Sequence, residues 1–240
     1  MVERRQPLPI LVNLLLTTSD EGIRIAASDM EVELISLLPL KNLEKVDVTL
    51  PARKLLDICR ALPDGADLTI KLAGDRAQVV SGKSRFTLST LPAHEFPLIE
   101  MQAPEAEFTI SQDALKQLLE KTAFSMAQQD VRYYLNGLLL ELNKSAIRAV
   151  ATDGHRLALY DAKSPQSFKE KHQIIVPRKG IMELIRLLEN TGEEVRVQIS
   201  GNHIRVIFPE LTFTSKLIDG KFPDYDRVIP ETGKTPVYAD

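Results

Sequence analysis

Cysteine and tryptophan are almost absent from this sequence of 240 residues, which contains one cysteine, Cys59, and no tryptophan. One cysteine excludes an intrachain disulfide and a cysteine-rich zinc site, and it is typical of a reducing compartment. The 30 basic and 33 acidic side chains leave a net charge of only −3. Bulk charge therefore cannot hold the chain on a phosphate backbone, and any contact with nucleic acid is expected to be local.

Long apolar runs are absent as well. No run approaches the roughly 18 to 20 residues that a membrane helix needs, so we expect a cytoplasmic protein without a membrane partner. The composition is 44% hydrophobic and 26% charged, with 11 glycines and 14 prolines. These values predict a globular protein and are far from those of disordered or fibrous chains.

An internal repeat of about 125 residues organises the chain. Four pairs of matching segments carry it: 11–16 with 135–140, 23–29 with 147–153, 48–56 with 174–182, and 96–97 with 222–223. Their separations are 124 or 126 residues, which is a domain length. We therefore expect two homologous domains, the first copy at 1–104 and the second copy at 105–230, followed by the start of a third at 231–240.

The two copies differ at their ends. The second copy has a predicted strand and helix, within 108–129, ahead of its matched region, and the first copy has no counterpart. Residues 236–240 resemble the opening strand of a further copy. We therefore expect the chain to be a fragment of a longer protein.

The apolar patterns predict two β-α-β-β-β units in the second copy. Helices are predicted at 113–124 and 178–190, and strands at 107–110, 138–141, 147–152, 156–161, 173–176, 195–199, 203–207 and 211–216. Two sheets with one helix each must share a core, so the expected fold class is an α+β sandwich.

The predicted helices carry a repeated polar stripe. Its residues are basic, acidic and basic in both copies: Arg53, Asp57 and Arg60, and Lys179, Glu183 and Arg186. A solvated helix face explains either stripe alone, but the recurrence favours a function. Cys59 falls among the apolar positions of its helix, so we expect it to be buried.

The segment Thr152-Asp-Gly-His-Arg-Leu157 is a second candidate. An Asp-Gly pair between strands is typical of a hairpin turn, yet the first copy has Ser28-Asp-Met-Glu-Val-Glu33 at the same positions. The turn therefore does not require Gly154, and a role specific to the second copy is favoured. Alternatively, His155 and Asp153 form the base of a hydrolytic or DNA-modifying enzyme. The histidines have no metal-ligand spacing, so no metal or cofactor is expected.

Several long motifs resemble one known family. They are Val131-Arg-Tyr-Tyr-Leu-Asn-Gly137, Ala151-Thr-Asp-Gly-His-Arg-Leu157, Ile175-Val-Pro-Arg-Lys-Gly180, Phe213-Thr-Ser-Lys-Leu217, Asp219-Gly-Lys-Phe-Pro-Asp-Tyr225, Pro51-Ala-Arg-Lys54 and Asp57-Ile-Cys-Arg60. This set resembles the bacterial DNA polymerase III beta subunits, the sliding clamps, over essentially the whole chain. The resemblance implies the DNA-clamp fold and a non-catalytic processivity factor. In this family two protomers of three domains each close head to tail around duplex DNA, with helices lining the hole and sheets outside.

The resemblance also implies site residues. For DNA contacts these are Arg5, Arg53, Arg60, Gln129, Tyr133, Tyr134, Arg178 and Lys179. For a hydrophobic cleft that receives short peptides they are Leu135, Thr152, Gly154, His155, Arg156, Leu157, Pro223, Arg227 and Val228. For the ring interface they are Lys54, Ile58, Phe86 and Leu88. The glycine at 154 is expected to let a peptide backbone approach closely.

The implied partners are duplex DNA, the catalytic subunit of polymerase III and other polymerases, the clamp loader, and mismatch-repair and other proteins with clamp-binding peptides. The intact family forms a head-to-tail homodimer, whereas this chain is expected to be a monomer. Two alternatives stay open: the enzyme that uses Asp153 and His155, and a free-standing peptide-binding module without a DNA function.

Overall fold

The computed structural model describes residues 8–41, 44–144, 146–163, 168 and 171–230. Arg5 and the start of the expected third domain at 231–240 lie outside the described residues. None of the helices in the described ranges has the length and apolar character needed to cross a membrane.

The described part of the first copy contains seven strands and one α-helix. They are β1 (Asn13–Ser19), β2 (Gly22–Ser28), β3 (Val32–Leu38), β4 (Asp47–Pro51), α1 (Ala52–Ala61), β5 (Thr69–Ala73), β6 (Arg76–Ser81) and β7 (Ser84–Ser89). Short 3-10 turns at Pro9–Val12 and Ala93–Glu95 flank these elements.

The second copy repeats this order and adds a strand and a helix in front of it. Its elements are β8 (Ala106–Ser111), α2 (Gln112–Ala123), β9 (Gly137–Leu142), β10 (Ala146–Thr152), β11 (Leu157–Lys163), β12 (His172–Pro177), α3 (Arg178–Leu187), β13 (Glu194–Ser200), β14 (His203–Ile207) and β15 (Leu211–Lys216). Short 3-10 turns are formed by Tyr133–Leu135 and Tyr225–Val228. The α+β class and the two β-α-β-β-β units are confirmed.

One predicted helix end is wrong. Helix α3 ends at Leu187 instead of Asn190, and Leu188 is already extended, with ψ of 135°. Two interactions favour this exit, because the Leu188 side chain packs in the core and the N–H of Glu189 donates to the side-chain oxygen of Gln112 at 3.0 Å.

A single sheet joins the two copies. Its eight strands run in the order β4-β1-β2-β3-β15-β14-β13-β8, so the first four-stranded half belongs to the first copy and the other half to the second. The junction is the antiparallel pair β3–β15, with Val32 opposite Ser215 and Ser36 opposite Leu211. Two smaller sheets, β11-β10-β9-β12 and β5-β6-β7, complete the copies.

The main core fills the second copy. Helices α2 and α3 pack against each other and on the sheets, and their buried leucines meet Phe108, Leu138 and Phe213. Strand β13 alternates between buried and exposed residues over most of its length, because successive side chains point to opposite faces of a sheet. Strand β9, in contrast, is buried throughout.

The expectation that Cys59 is buried is wrong, since its side chain is exposed. Of its predicted apolar stripe on α1, Leu55 and Ile58 are buried. In the second copy the equivalent of Cys59 is Ile185, which packs against the main core, and helix α3 of this copy is in contact with α2. Within the described residues α1 has no neighbouring helix in that place, and Cys59 therefore faces solvent.

Strand β7 is an edge strand of its three-stranded sheet. Two residues expected at the ring interface, Ile58 and Leu88, lie instead in the core of the first copy, with 8% and 4% of their surface exposed. Leu88 packs there because alternate residues of β7 face inward. Lys54 is exposed and Phe86 is half-buried, so these two side chains and the edge of β7 are left as candidate interface groups.

Candidate functional site

The turn between β10 and β11 is held by its own side chains. The Asp153 carboxylate Oδ1 accepts hydrogen bonds from the backbone N–H groups of His155 and Arg156 at 2.9 and 3.0 Å. The Thr152 hydroxyl accepts from the N–H of Gly154 and donates to the carbonyl of Arg156. The hydrogen bonds from the N–H groups of His155 and Arg156, together with the Arg156 side chain, lower the pKa of Asp153.

The first copy builds the same turn. Asp29 Oδ1 accepts from the N–H groups of Glu31 and Val32, and the Ser28 hydroxyl accepts from Met30. Met30 takes the place of Gly154 and also has a positive φ, 72° against 89°. A glycine is therefore not required to close this turn, as the sequence comparison predicts, although it avoids the strain that a side chain brings to the left-handed region.

The space beside Gly154 is filled by an arginine of the same chain. A Cβ atom at this position would lie 3.0 Å from Nη1 of Arg132, and Nη2 of Arg132 donates to the carbonyl of Asp153 at 3.1 Å. The Arg132 guanidinium thus lies in the space beside Gly154, and the close approach of a peptide backbone at this position stays a prediction. Arg132 also pairs with Asp130 at 2.8 Å and lowers the pKa of this carboxyl to about 2.

An open cleft of about 400 Å³ lies beside this turn. It is lined by Arg132, Tyr134, Leu135, Thr152, Gly154, His155, Arg156, Leu157, Pro223, Asp224, Tyr225 and Val228. Eight of the nine residues expected at a peptide cleft are therefore brought together from three separate segments of the chain.

Arg227 is the one expected cleft residue outside the lining. Its guanidinium turns to solvent and pairs with Asp224 at 2.7 Å. Four lining residues were missed by the expectation for this cleft: Arg132, Tyr134, Asp224 and Tyr225. All four belong to the sequence motifs that carry the resemblance. Their closeness in sequence to the predicted cleft residues could have identified them.

The floor of the cleft is a small apolar cluster. It consists of Leu139, Val150, Ile175, Phe222 and Tyr225, with Leu157 packed against it. Apolar groups of this kind, rimmed by a few polar side chains, are typical of sites that bury the hydrophobic anchors of a ligand.

The corresponding place in the first copy is closed. Glu33 stands where the second copy has Leu157, and it is buried with its Oε2 accepting from the N–H of Ile99 at 2.8 Å. Its neighbour Val32, the counterpart of Arg156, is also buried because it packs into the main core of the second copy. The same turn thus borders an open cleft in the second copy and a buried carboxyl in the first.

Glu33 gives a prediction on pH. Burial raises the pKa of Glu33, against the opposing effects of Ile99, Arg205 and Arg24, so the folded state favours the protonated form. Its stabilising contribution is then complete below the unfolded pKa and is lost as pH rises through the higher folded pKa. The measurement compares the free energies of unfolding of Glu33→Gln and wild type in urea. Between pH 4 and 7 we expect the wild type to lose stability relative to the variant. A difference independent of pH would contradict this.

The residues expected to contact DNA fall into two groups. Arg53 and Arg60 are exposed on α1 in the first copy. Gln129, Tyr133, Tyr134, Arg178 and Lys179 belong to the second copy, where Tyr133 is 57% exposed and its ring meets that of Tyr134 at 5.7 Å. Tyr134 lines the apolar cleft, so the segment 133–134 borders both predicted sites.

A second, more polar cleft of about 470 Å³ adjoins the first through His155 and Arg156. Gln129 and Arg178 line it, and Arg178 donates to the carbonyl of Met126 at 3.4 Å. Arg156 lies over the ring of Phe124 at 5.8 Å.

Lys179 is engaged across the junction between the copies. Its ammonium lies 2.7 Å from Oδ2 of Asp29, whose side chain is 3% exposed. A largely buried carboxylate interacts with a cation more strongly than an exposed one does. Lys179 is therefore less available for a phosphate than the exposed Arg60.

The pair required by the enzyme alternative is not assembled. Asp153 binds the backbone N–H of His155, and its Oδ2 pairs with Arg156 at 3.1 Å, so the carboxylate does not orient the imidazole. The described ranges also contain no group of three or more His, Cys, Asp or Glu side chains arranged to hold a metal ion.

Comparisons with known sequences agree with one another. Residues 1–100 match a family model described as the N-terminal domain of the DNA polymerase III beta subunit, and residues 109–224 match its central domain. The chain is 49% identical to the beta sliding clamp of Pseudomonas putida over 241 residues and 50% identical to that of Escherichia coli K12 over 228 residues. All of this chain is covered in the first case and 95% in the second, but the chain spans only 66% and 62% of the lengths of those proteins.

Solved structures show the same likeness. A crystal structure of the DNA polymerase III subunit beta from Pseudomonas aeruginosa superposes with a TM-score of 0.94 and 48% identity, covering 98% of this chain and 64% of that one. A second structure from this organism, a sliding clamp bound to griselimycin, has a TM-score of 0.92 and 49% identity, covering 97% and 63%.

Proposed function

The chain belongs to the DNA polymerase III beta subunit family. From this premise we propose that it functions as part of a sliding clamp, which encircles duplex DNA and tethers replication proteins by their short peptides. The observation that carries the proposal is the apolar cleft between the turn 152–157 and the segment 223–228. In this proposal the chain has no catalytic residue and acts in the cytoplasm.

The cleft suits an extended peptide with two or more apolar anchors. Leu157, Pro223 and Val228 offer apolar surface, and the cluster beneath them is already packed, so little ordering is required on binding. His155 and Arg156 lie at the rim beside the polar cleft. We propose as partners the catalytic subunit and other polymerases, the clamp loader and mismatch-repair proteins.

The DNA surface is proposed to hold phosphates loosely. Arg53 on α1 and Lys179 on α3 occur at matching positions of the two copies. Arg60 and Arg178 lie on the same two helices, and cations attract a phosphate backbone without reading sequence. Tyr133 and Gln129 are exposed beside α3 and are proposed to contact DNA near the cleft.

The assembly proposal rests on the edge of β7. Lys54, Phe86 and the open hydrogen-bonding groups of β7 are proposed to meet a partner protomer head to tail in the intact ring. The division into copies at 1–104 and 105–230, with a third beginning at 231, belongs to the same proposal. This chain alone is proposed to be a monomer.

The test is a titration of a labelled short peptide with leucine and phenylalanine anchors onto this chain and onto the full-length P. aeruginosa clamp. The family resemblance assigns the far wall of the cleft to a third domain. The loss of one apolar wall removes about 2 to 4 kcal/mol of burial, so we expect binding about 30- to 1000-fold weaker than to the full-length clamp.

Sedimentation of the same samples reports the mass. A scrambled peptide with charged residues at the anchor positions is the control. The absence of any specific binding by this chain would overturn the cleft proposal. An affinity equal to that of the full-length clamp would show that the far wall of the cleft does not belong to a third domain.

A further inference from the structure

The segment 219–228 forms one side of the cleft and is attached to the rest of the molecule at few points. It carries Pro223, Asp224 and Val228 of the lining. Phe222 and Tyr225 pack into the cluster below. Within the part of the chain that the structure describes, the only side-chain hydrogen bonds that tie this segment to the sheet are those of the Tyr225 hydroxyl.

The partner of this hydroxyl is a buried carboxylate on β9, an inner strand of its sheet. Tyr225 donates to Oε2 of Glu141 at 3.3 Å, and Arg148 on β10 approaches the hydroxyl at 3.5 Å. Tyr225 is 4% exposed. Its ring lines the cleft while its hydroxyl reaches into a polar network behind it.

Glu141 is held rigidly from several directions. Its carboxylate accepts from Gln173 and from Asn143, both at 2.7 Å, and pairs with Lys171 at 2.7 Å. Burial raises the pKa of Glu141, but the hydrogen bonds from Lys171, Asn143 and Gln173 outweigh this effect and lower the pKa overall. A buried carboxylate with this many donors stays charged and keeps one orientation.

We propose that Glu141 is a positioning residue for the peptide cleft, which fixes the Tyr225 hydroxyl and thereby the wall 222–228 against the sheet. This inference rests on the proposed function of the cleft. A strong acceptor fixed on this inner strand sets how far the tyrosine ring lies from the sheet, and the ring sets the distance between Pro223 and Leu157. The wall is then arranged before a ligand arrives, which reduces the ordering that binding requires.

Tyr225→Phe tests the proposal because it keeps the ring and removes the hydroxyl. We expect the labelled leucine–phenylalanine peptide to bind this chain five- to tenfold more weakly, because part of the ordering of the wall then occurs only on binding. Tyr160→Phe is the matched control. The Tyr160 hydroxyl donates to Gln117 at 3.4 Å in the same copy, away from the cleft, and its loss is expected to leave peptide affinity unchanged.

Glu141→Gln separates positioning from general stability. If Glu141 acts through Tyr225, its effect on affinity vanishes in the Tyr225→Phe background, whereas independent effects would add. Additive losses, or a Tyr225→Phe affinity equal to wild type, would overturn the inference.

Deuterium uptake of the free protein gives a reading without any peptide. We expect faster uptake in residues 219–230 of Tyr225→Phe and unchanged uptake there in Tyr160→Phe. If the wild-type chain binds no peptide, the proposed function fails, but the uptake still decides whether Glu141 and Tyr225 hold the wall. Equal uptake in the two variants would refute the positioning role.

Discussion

Leu157→Ala is expected to weaken peptide binding by about 30-fold, or about 2 kcal/mol, as fluorescence anisotropy with the labelled peptide would show. Leu157 begins strand β11, lines the cleft and packs against its floor. Truncation therefore removes an apolar surface that a peptide anchor would cover, and leaves a hole in the floor.

Leu159→Ala is the matched control for this experiment. Leu159 lies two residues further along the same strand, on the same face, and packs against the same cluster, but it is outside the cleft lining. We expect a similar loss of stability and little loss of affinity. Equal weakening by both variants would mean that the cluster as a whole, and not the cleft surface, controls binding.

Phe213→Ala is expected to lower the free energy of unfolding by about 3 to 5 kcal/mol in urea titrations. Phe213 is 0% exposed and belongs to the main core. It stands on β15, opposite Leu34 of β3 and Val206 of β14, so the cavity would open beside the junction between the two copies.

Phe124→Ala serves as its control, because this phenylalanine is 57% exposed. Its truncation is expected to cost less than about 1 kcal/mol. If Phe213→Ala is no less stable than Phe124→Ala, the surrounding core side chains have moved to fill the cavity, and the expected loss of about 3 to 5 kcal/mol is wrong.

The order of the strands and helices followed from the sequence because the repeat aligned two independent patterns. A strand at 138–141 was supported by its counterpart in the first copy, and Pro51 and Pro177 marked the same strand end twice. Periodicity and turn residues are local properties. They therefore predicted the elements and missed the end of α3, where a distant side chain, Gln112, binds the exiting backbone.

Contacts between copies were not visible in the patterns. Nothing in the alternation of β3 or β15 shows that they pair with each other, since an edge strand and an inner strand share the same period. The buried position of Glu33 and the ion pair of Lys179 with Asp29 follow from this pairing and its surroundings. The exposure of Cys59 likewise depends on which elements surround α1.

The candidate site was predicted in part. The comparison of 28–33 with 152–157 singled out the turn, and the family resemblance supplied most of the lining. Arg132 beside Gly154 and Glu141 behind Tyr225 were missed, because each contact joins segments at least 22 residues apart in the sequence. Such contacts arise only when the sheets pack.

The ladder between β3 and β15 has a mechanical consequence. Five residue pairs cross the junction, and further backbone hydrogen bonds run from Leu37 to Glu210 and from Lys216 to Glu31. Two domains joined by a flexible linker rotate freely relative to each other. These two copies instead share one twisted sheet, so the twist of that sheet sets the angle between them. Because the two copies share one hydrogen-bonded sheet, we expect a displacement at the cleft to be transmitted into the first copy.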